Sequence, residues 1–102
     1  TPPVNVVAGT QGMRLYVLVP GYRQEDISVS IEEDRLHLRG ERRGPAQEGE
    51  EAKVIAGFDR SIRLPFRPDG QHVRAAIKNG LLELFLPVPL ADQLRTIPII
   101  ES

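Results

Sequence analysis

The sequence contains no cysteine and no tryptophan, and two tyrosines and three phenylalanines are its whole complement of large aromatic residues. Disulfide bonds and thiolate metal sites are therefore excluded, and a platform for stacking nucleic-acid bases is hard to build. A formal net charge of −1 indicates no basic surface for nucleic acid or for an anionic membrane. No apolar run approaches the roughly 20 residues that a bilayer requires. We therefore expect neither a nucleic-acid nor a membrane partner. The absence of cysteine is compatible with a cytoplasmic location, which is the location expected.

Apolar residues recur with a period of two along most of the chain. Successive side chains of a β-strand point to opposite faces, so each alternating run predicts a strand with one buried face. The alternating residues are Leu15, Val17 and Val19; Ile27, Val29 and Ile31; Leu36 and Leu38; Phe58, Ile62 and Leu64; Val73, Ala75 and Ile77; and Leu82, Leu84 and Leu86. No stretch of useful length has a helical period.

Turn-forming sequences separate the runs at Pro20-Gly21, Glu33-Asp34, Pro68-Asp69-Gly70 and Asn79-Gly80. Asn79-Gly80 predicts a β-hairpin, because both residues tolerate the positive φ that a type I′ turn demands. A chain of 102 residues supports one domain. Short strands between regular turns predict an all-β fold, an antiparallel immunoglobulin-like sandwich of two sheets with about seven to nine strands.

Two segments depart from the alternation. Residues 41–56 are charged, with Pro45 and the acidic run Glu48–Glu51, and predict a flexible loop with room for a short dimerisation strand. Residues 90–102 follow two prolines and predict an extension beyond a domain spanning 1–89. The first residue is Thr1 rather than Met, so a preceding segment is expected.

Residues that could carry catalysis or bind a metal form no recognisable motif. His37 and His72 have no second ligand at a spacing suited to zinc, and the Ser, His and Asp residues form no nucleophile motif. No glycine-rich loop followed by Lys-Ser/Thr is present, and the acidic run lacks the alternate spacing of a calcium loop. We predict that the chain is not an enzyme and needs no cofactor.

Five motifs occur in order along the chain: Val19-Pro20-Gly21 with Glu25-Asp26-Ile27; Leu36-His37-Leu38-Arg39-Gly40-Glu41-Arg42; Gly57–Pro65; Ala75–Leu84 followed by Pro87; and Ile97-Pro98-Ile99. Together they resemble the α-crystallin domain of small heat-shock proteins, from about Pro3 to the C terminus. The loop after Gly40-Glu41-Arg42 departs from the bacterial and plant pattern. It is shorter, and only Lys53–Ala56 could form the extra strand that those members exchange between protomers.

The resemblance implies an ATP-independent holdase chaperone that binds non-native client proteins and prevents their aggregation under stress. It also implies a homodimer, higher oligomers, and cooperation with ATP-dependent refolding chaperones. A groove for clients is expected between the strands carrying Ile27, Val29, Ile31, Val73, Ala75 and Ile77. The motif Ile97-Pro98-Ile99 is expected to enter this groove, in a neighbouring subunit or in its own chain. The implied dimer interface comprises Lys53, Val54, Ile55, Arg60, Val4 and Val6.

Other interpretations stay open for the sequence. The six groove residues are also compatible with ordinary core packing, the tail with a disordered terminus, and Arg60 with an edge-strand arginine whose head reaches solvent. A co-chaperone or adaptor sandwich of the CS/p23-like type, binding one folded partner, is the alternative function. An extracellular immunoglobulin-like adhesion module is disfavoured, since no cysteine pair and no tryptophan are present.

Overall fold

A computed structural model describes residues 2–93 and 97–101 of the chain. Within these residues it forms seven β-strands, which are β1 (Val4–Ala8), β2 (Gly12–Leu18), β3 (Ile27–Glu32), β4 (Arg35–Arg43), β5 (Val54–Arg63), β6 (Arg74–Lys78) and β7 (Leu81–Pro87). Single 3₁₀ turns lie at Gln24–Asp26, Gly70–His72 and Leu90–Asp92. The strands form two antiparallel sheets, which confirms the predicted all-β sandwich.

The two sheets leave four strands at their edges. The four-stranded sheet has the order β1–β2–β7–β6, and the three-stranded sheet has the order β3–β4–β5. All neighbouring strands within each sheet are antiparallel. The edge strands are therefore β1 and β6 in one sheet and β3 and β5 in the other. Each presents a row of backbone groups without a partner in its own sheet.

The core lies between the sheets and is built from alternate residues of the predicted runs. Its buried side chains are Met13, Leu15, Val17, Val19, Leu36, Leu38, Leu64, Leu82, Leu84 and Leu86. Leu15 lies opposite Leu84, and both are fully buried, because directly paired residues share a face of the sheet. The period-two pattern thus identified the buried faces of β2, β4 and β7.

The predicted hairpin at Asn79-Gly80 joins β6 to β7. Asn79 has a φ of 51° and Gly80 a φ of 77°, as a type I′ turn requires. The backbone N–H of Val19 donates to the carbonyl oxygen of Gly80 at 2.7 Å, which fastens the turn to the end of β2. The position of edge strand β6 is therefore fixed at this end.

The predicted flexible loop at residues 41–56 is shorter in the structure. Strand β4 continues through Arg43 and β5 begins at Val54, so the residues at both ends of the predicted loop are strand. An apolar pattern does not detect the end of β4, because its side chains there are charged. Glu41 forms salt bridges with Arg39 at 3.5 Å and with Arg43 at 3.3 Å. Lys53 belongs to the same hairpin, because its carbonyl oxygen accepts a hydrogen bond from the backbone N–H of Gly44 at 2.9 Å.

Candidate functional site

An apolar groove separates the two edge strands β3 and β6. It has a volume of about 470 Å³ and is lined by Ile27 and Val29 from β3 and by Ala75 and Ile77 from β6. The two isoleucines and Val29 are half-buried, whereas Ala75 is exposed. The groove exists because β3 and β6 belong to different sheets and share no ladder. It offers apolar surface beside an unpaired strand edge.

The structure brings four of the six predicted groove residues together in this groove. The other two do not line it: Ile31 and Val73 are half-buried and pack against the core, as Ile27, Val29 and Ile77 also do. Three residues that line the groove were not predicted: Gln24, Ala76 and Leu82. Leu82 could have been found from its pairing with Ile77 across the hairpin, whereas Gln24 comes from a 3₁₀ turn that has no periodic signal.

One end of the groove is supported by an aromatic cluster on the inner face of the three-stranded sheet. Ile27, Gly40 and Phe58 lie side by side on β3, β4 and β5. The ring of Tyr22 packs edge-on against Phe58 with the centroids 5.3 Å apart. The guanidinium of Arg42 lies 5.6 Å from the centroid of the Tyr22 ring. Gly40 has no side chain, and this leaves space for the Phe58 ring next to the position of Ile27.

A second cavity, called here the outer cleft, lies on the opposite face of β6. It has a volume of about 800 Å³ and is lined by Arg14, His72, Arg74, Ala76 and Phe85, with Val73, Ala75 and Glu83. The Arg14 guanidinium lies 4.8 Å from the centroid of the Phe85 ring and 3.0 Å from a carboxylate oxygen of Glu83. The outer cleft thus combines an aromatic ring with basic side chains, a chemistry different from that of the groove.

The C-terminal tail lies outside the groove of its own chain. Ile97 is 80% exposed, Ile99 is 96% exposed and Ile100 is 88% exposed. Of the two predicted arrangements, occupancy of the chain's own groove is therefore not the one observed. The exposed isoleucines are available to another molecule.

The residues predicted for a dimer interface lie on or next to β5 and on β1. Val54 and Ile55 are exposed at the start of β5, within the chain's own β4–β5 hairpin. Arg60 lies on the inner face of β5 and donates from Nη1 to the carbonyl oxygen of Pro2 at 3.0 Å, so it joins the N-terminal strand to the three-stranded sheet. Val4 packs against the core, whereas Val6 is 52% exposed on edge strand β1.

The outer face of the three-stranded sheet is covered by paired charges. His37 Nε2 lies 2.5 Å from Asp59 Oδ1 across the strands, and Glu41 lies between Arg39 and Arg43. Among residues 2–93 and 97–101, no group of three or more His, Cys, Asp or Glu side chains is placed to hold a metal ion. No helix in those ranges has the length and apolar character needed to cross a bilayer.

Comparison with known proteins finds heat-shock proteins among the relatives of this chain. The rice 26.7 kDa heat shock protein, chloroplastic, is 30% identical over 93 residues, which are 83% of this chain and 39% of the rice protein. The structure of heat shock protein 16.0 from Schizosaccharomyces pombe has a TM-score of 0.73 and 26% identity, over 99% of this chain and 98% of that one. A small heat-shock protein from Xylella fastidiosa, described as having a distinct high order structure, has a TM-score of 0.71 and 25% identity, over 99% and 97% of the two chains.

The chain spans about two fifths of the length of the rice relative. The model of the Hsp20/alpha crystallin family matches residues 5–100, which include both sheets and the tail motif. The order of the motifs, the two-sheet sandwich and these similarities agree, and the chain belongs to the Hsp20/alpha crystallin family.

Proposed function

We propose that this chain is the core of an ATP-independent holdase, a chaperone that binds partly unfolded proteins under stress and prevents their aggregation. The observation that carries the proposal is the open groove between β3 and β6. Its apolar lining and the unpaired edge of β6 lie side by side. An extended apolar segment can bury side chains in the groove and pair its backbone with the edge, with little dependence on sequence. The chain acts by binding and not by catalysis.

The same groove is the proposed binding site for the Ile97-Pro98-Ile99 motif of another copy. Proline keeps the segment extended, so the two isoleucines project to the same side. Burying both gives roughly 3–6 kcal/mol gross, from which the cost of ordering the tail is subtracted. A millimolar affinity corresponds to about 4 kcal/mol. One tail contact is therefore weak and exchangeable, and it stabilises an assembly only when several act together.

Self-association through the strand edges is a further part of the proposal. A homodimer would use the free edge of β1 near Val6 and the start of β5 at Lys53, Val54 and Ile55, whose valine and isoleucine side chains are exposed. Arg60 supports this region by fixing Pro2 against β5. The high order structure described for the Xylella fastidiosa relative supports assembly beyond a dimer.

Two finer points complete the proposal. Clients held in the groove are proposed to pass to ATP-dependent refolding chaperones, as the family resemblance implies. The chain acts in the cytoplasm, with which its cysteine-free sequence is compatible.

The test measures light scattering of a heated model client with increasing amounts of this protein and no ATP. The protein is expected to suppress aggregation near stoichiometric amounts, and Ala75→Arg, which places a charged chain in the groove from an exposed position, is expected to abolish suppression. Ser30→Arg is the matched control, because Ser30 is exposed on the other face of β3. Unaltered aggregation with the parent protein, together with tight binding to one native partner, would point instead to a CS/p23-like adaptor.

A further inference from the structure

Edge strand β6 can pair with another strand through Ala75 and Ile77. In a two-residue type I′ hairpin the residues that flank the turn exchange both backbone hydrogen bonds, so Lys78 and Leu81 are bonded to each other. Bonded and non-bonded pairs alternate along an antiparallel ladder. The N–H and C=O groups of Ala75 and Ile77 therefore point away from β7, toward the free edge. Their side chains line the groove.

Pro98 restricts how the tail can lie on this edge. Opposed residues of paired strands point to the same face, so Ile97 and Ile99 lie opposite the two groove residues of β6 when their side chains enter the groove. Pro98 then lies opposite Ala76, where its backbone nitrogen points away from β6. Proline has no N–H to donate, so this position costs no hydrogen bond.

Ile100 is the next tail residue that faces away from the groove. It points to the outer face of the four-stranded sheet, on the side opposite to Ile97 and Ile99, because side chains alternate along an extended strand. An antiparallel tail places Ile100 opposite Arg74, at the outer cleft. A parallel tail places it beside Lys78, at the other end of β6.

The outer cleft favours the antiparallel direction. It is the larger cavity, about 800 Å³ against about 520 Å³ beside Lys78, and it contains the Phe85 ring. Antiparallel pairing is also slightly more stable per residue than parallel pairing.

We propose that the tail of a second copy binds β6 as an antiparallel strand and holds it from both faces, with Ile97 and Ile99 in the groove and Ile100 in the outer cleft against Phe85. This arrangement, which rests on the proposed docking of the tail in the groove, adds a separate subsite for a third apolar side chain. A second copy is the proposed donor because all three isoleucines are exposed in their own chain.

Disulfide trapping tests the arrangement cleanly, because the sequence contains no cysteine. One variant with a cysteine in the tail is mixed with one carrying a cysteine on β6, and covalent dimers are counted on a non-reducing gel. Opposed residues of paired strands have Cα atoms about 4.5–5.5 Å apart, within the range of about 4.4–6.8 Å that a disulfide spans. All three β6 positions used, Arg74, Ala76 and Lys78, are exposed.

Three pairings separate the possible outcomes. Pro98→Cys with Ala76→Cys traps a docked tail in either direction, Ile100→Cys with Arg74→Cys traps the antiparallel tail, and Ile100→Cys with Lys78→Cys traps the parallel tail. We expect dimers from the first two pairings and not from the third. Absence of dimers from the first pairing contradicts the docking itself. Dimers from the first, with the third equal to or stronger than the second, overturn the antiparallel arrangement alone.

Two controls complete the experiment. If the first pair placed in one chain gives only an intramolecular disulfide, the donor is not a second copy and the inference fails. In sedimentation experiments on the full chain, Ile100→Ala is expected to weaken association about tenfold, the effect of half-burying about three methylene-sized groups. Phe85→Ala should have the same effect and add nothing to Ile100→Ala, whereas Leu81→Ala should have none. Additive effects of Ile100 and Phe85 would contradict their contact.

Discussion

Gly40 provides a sharp test of how the end of the groove is packed. A Cβ added at Gly40 would overlap the Phe58 ring, lying 2.8 Å from its Cζ, and would lie 2.9 Å from Cε2 of Tyr22. The Phe58 ring cannot move freely because Tyr22 packs edge-on against it. We therefore expect Gly40→Ala to destabilise the fold by about 1–3 kcal/mol, the usual cost of overpacking a core.

The expected loss can be measured by thermal and urea unfolding. A change of 1 kcal/mol shifts the melting temperature of a domain of this size by about 4–8 °C, so Gly40→Ala should lower it by at least about 4 °C. The urea midpoint should fall without a change of slope. Unfolding is followed at several protein concentrations, because association also stabilises the folded state.

Gly70→Ala is the matched control for this prediction. An added Cβ at Gly70 meets nothing within 4 Å, and Gly70 has no positive φ. Replacing it should therefore leave stability unchanged or raise it by about 0.4–1 kcal/mol through the unfolded chain. Phe58→Leu should cost less in the Gly40→Ala background than in the parent, since the two positions are in contact. Equal stability of Gly40→Ala and Gly70→Ala would refute the packing described here.

Substitutions at three other positions test the core, the type I′ turn and the hydrogen bond that holds the N-terminal segment. Leu84→Ala should cost about 2–5 kcal/mol in urea unfolding, because Leu84 is fully buried; a loss below 1 kcal/mol would contradict its place in the core. Gly80→Ala should cost about 1–2 kcal/mol in the same assay, since Gly80 has a φ of 77° and an added Cβ would lie 3.2 Å from Cα of Pro20; an unchanged midpoint would speak against the type I′ turn. Arg60→Met keeps the apolar stem and removes the donor to Pro2, so it should cost about 1 kcal/mol and speed amide exchange in β1; unaltered exchange would show that the bond does not hold that strand.

The sequence predicted those parts of the fold that depend on alternation. Leu15, Leu84 and Leu38 lie on buried faces because one side of each strand meets the opposite sheet, and a period of two reports that side directly. The hairpin at Asn79-Gly80 was predicted because both residue types tolerate a positive φ, and both residues have a positive φ in the structure. The extent of β4 was missed because its last residues are charged on both faces, so an apolar pattern ends before the hydrogen-bonded ladder does.

The groove was predicted in part. The family resemblance indicated the strands that flank it, and Ile27, Val29, Ala75 and Ile77 line the cavity between those strands. Binding of clients in this cavity stays a prediction. Alternation could not tell these residues from Ile31, because all the inward-facing positions of β3 have the same pattern. What distinguishes them is how the edges of two separate sheets are placed, which depends on packing across the sandwich. The outer cleft was not predicted, since its residues come from three strands and a 3₁₀ turn.

The charged outer face of the three-stranded sheet affects which client proteins the proposed holdase can keep soluble. Arginine and acidic side chains alternate there at short range, while the whole chain has a formal net charge of only −1. Such a surface binds water strongly yet sets up no long-range field of one sign, and its pairs are screened within about 10 Å at 0.1 M salt. Acidic and basic polypeptides should therefore approach with equal ease. Because the net charge is near zero, complexes of the proposed holdase would repel one another only weakly, and hydration of this face is what would oppose their association.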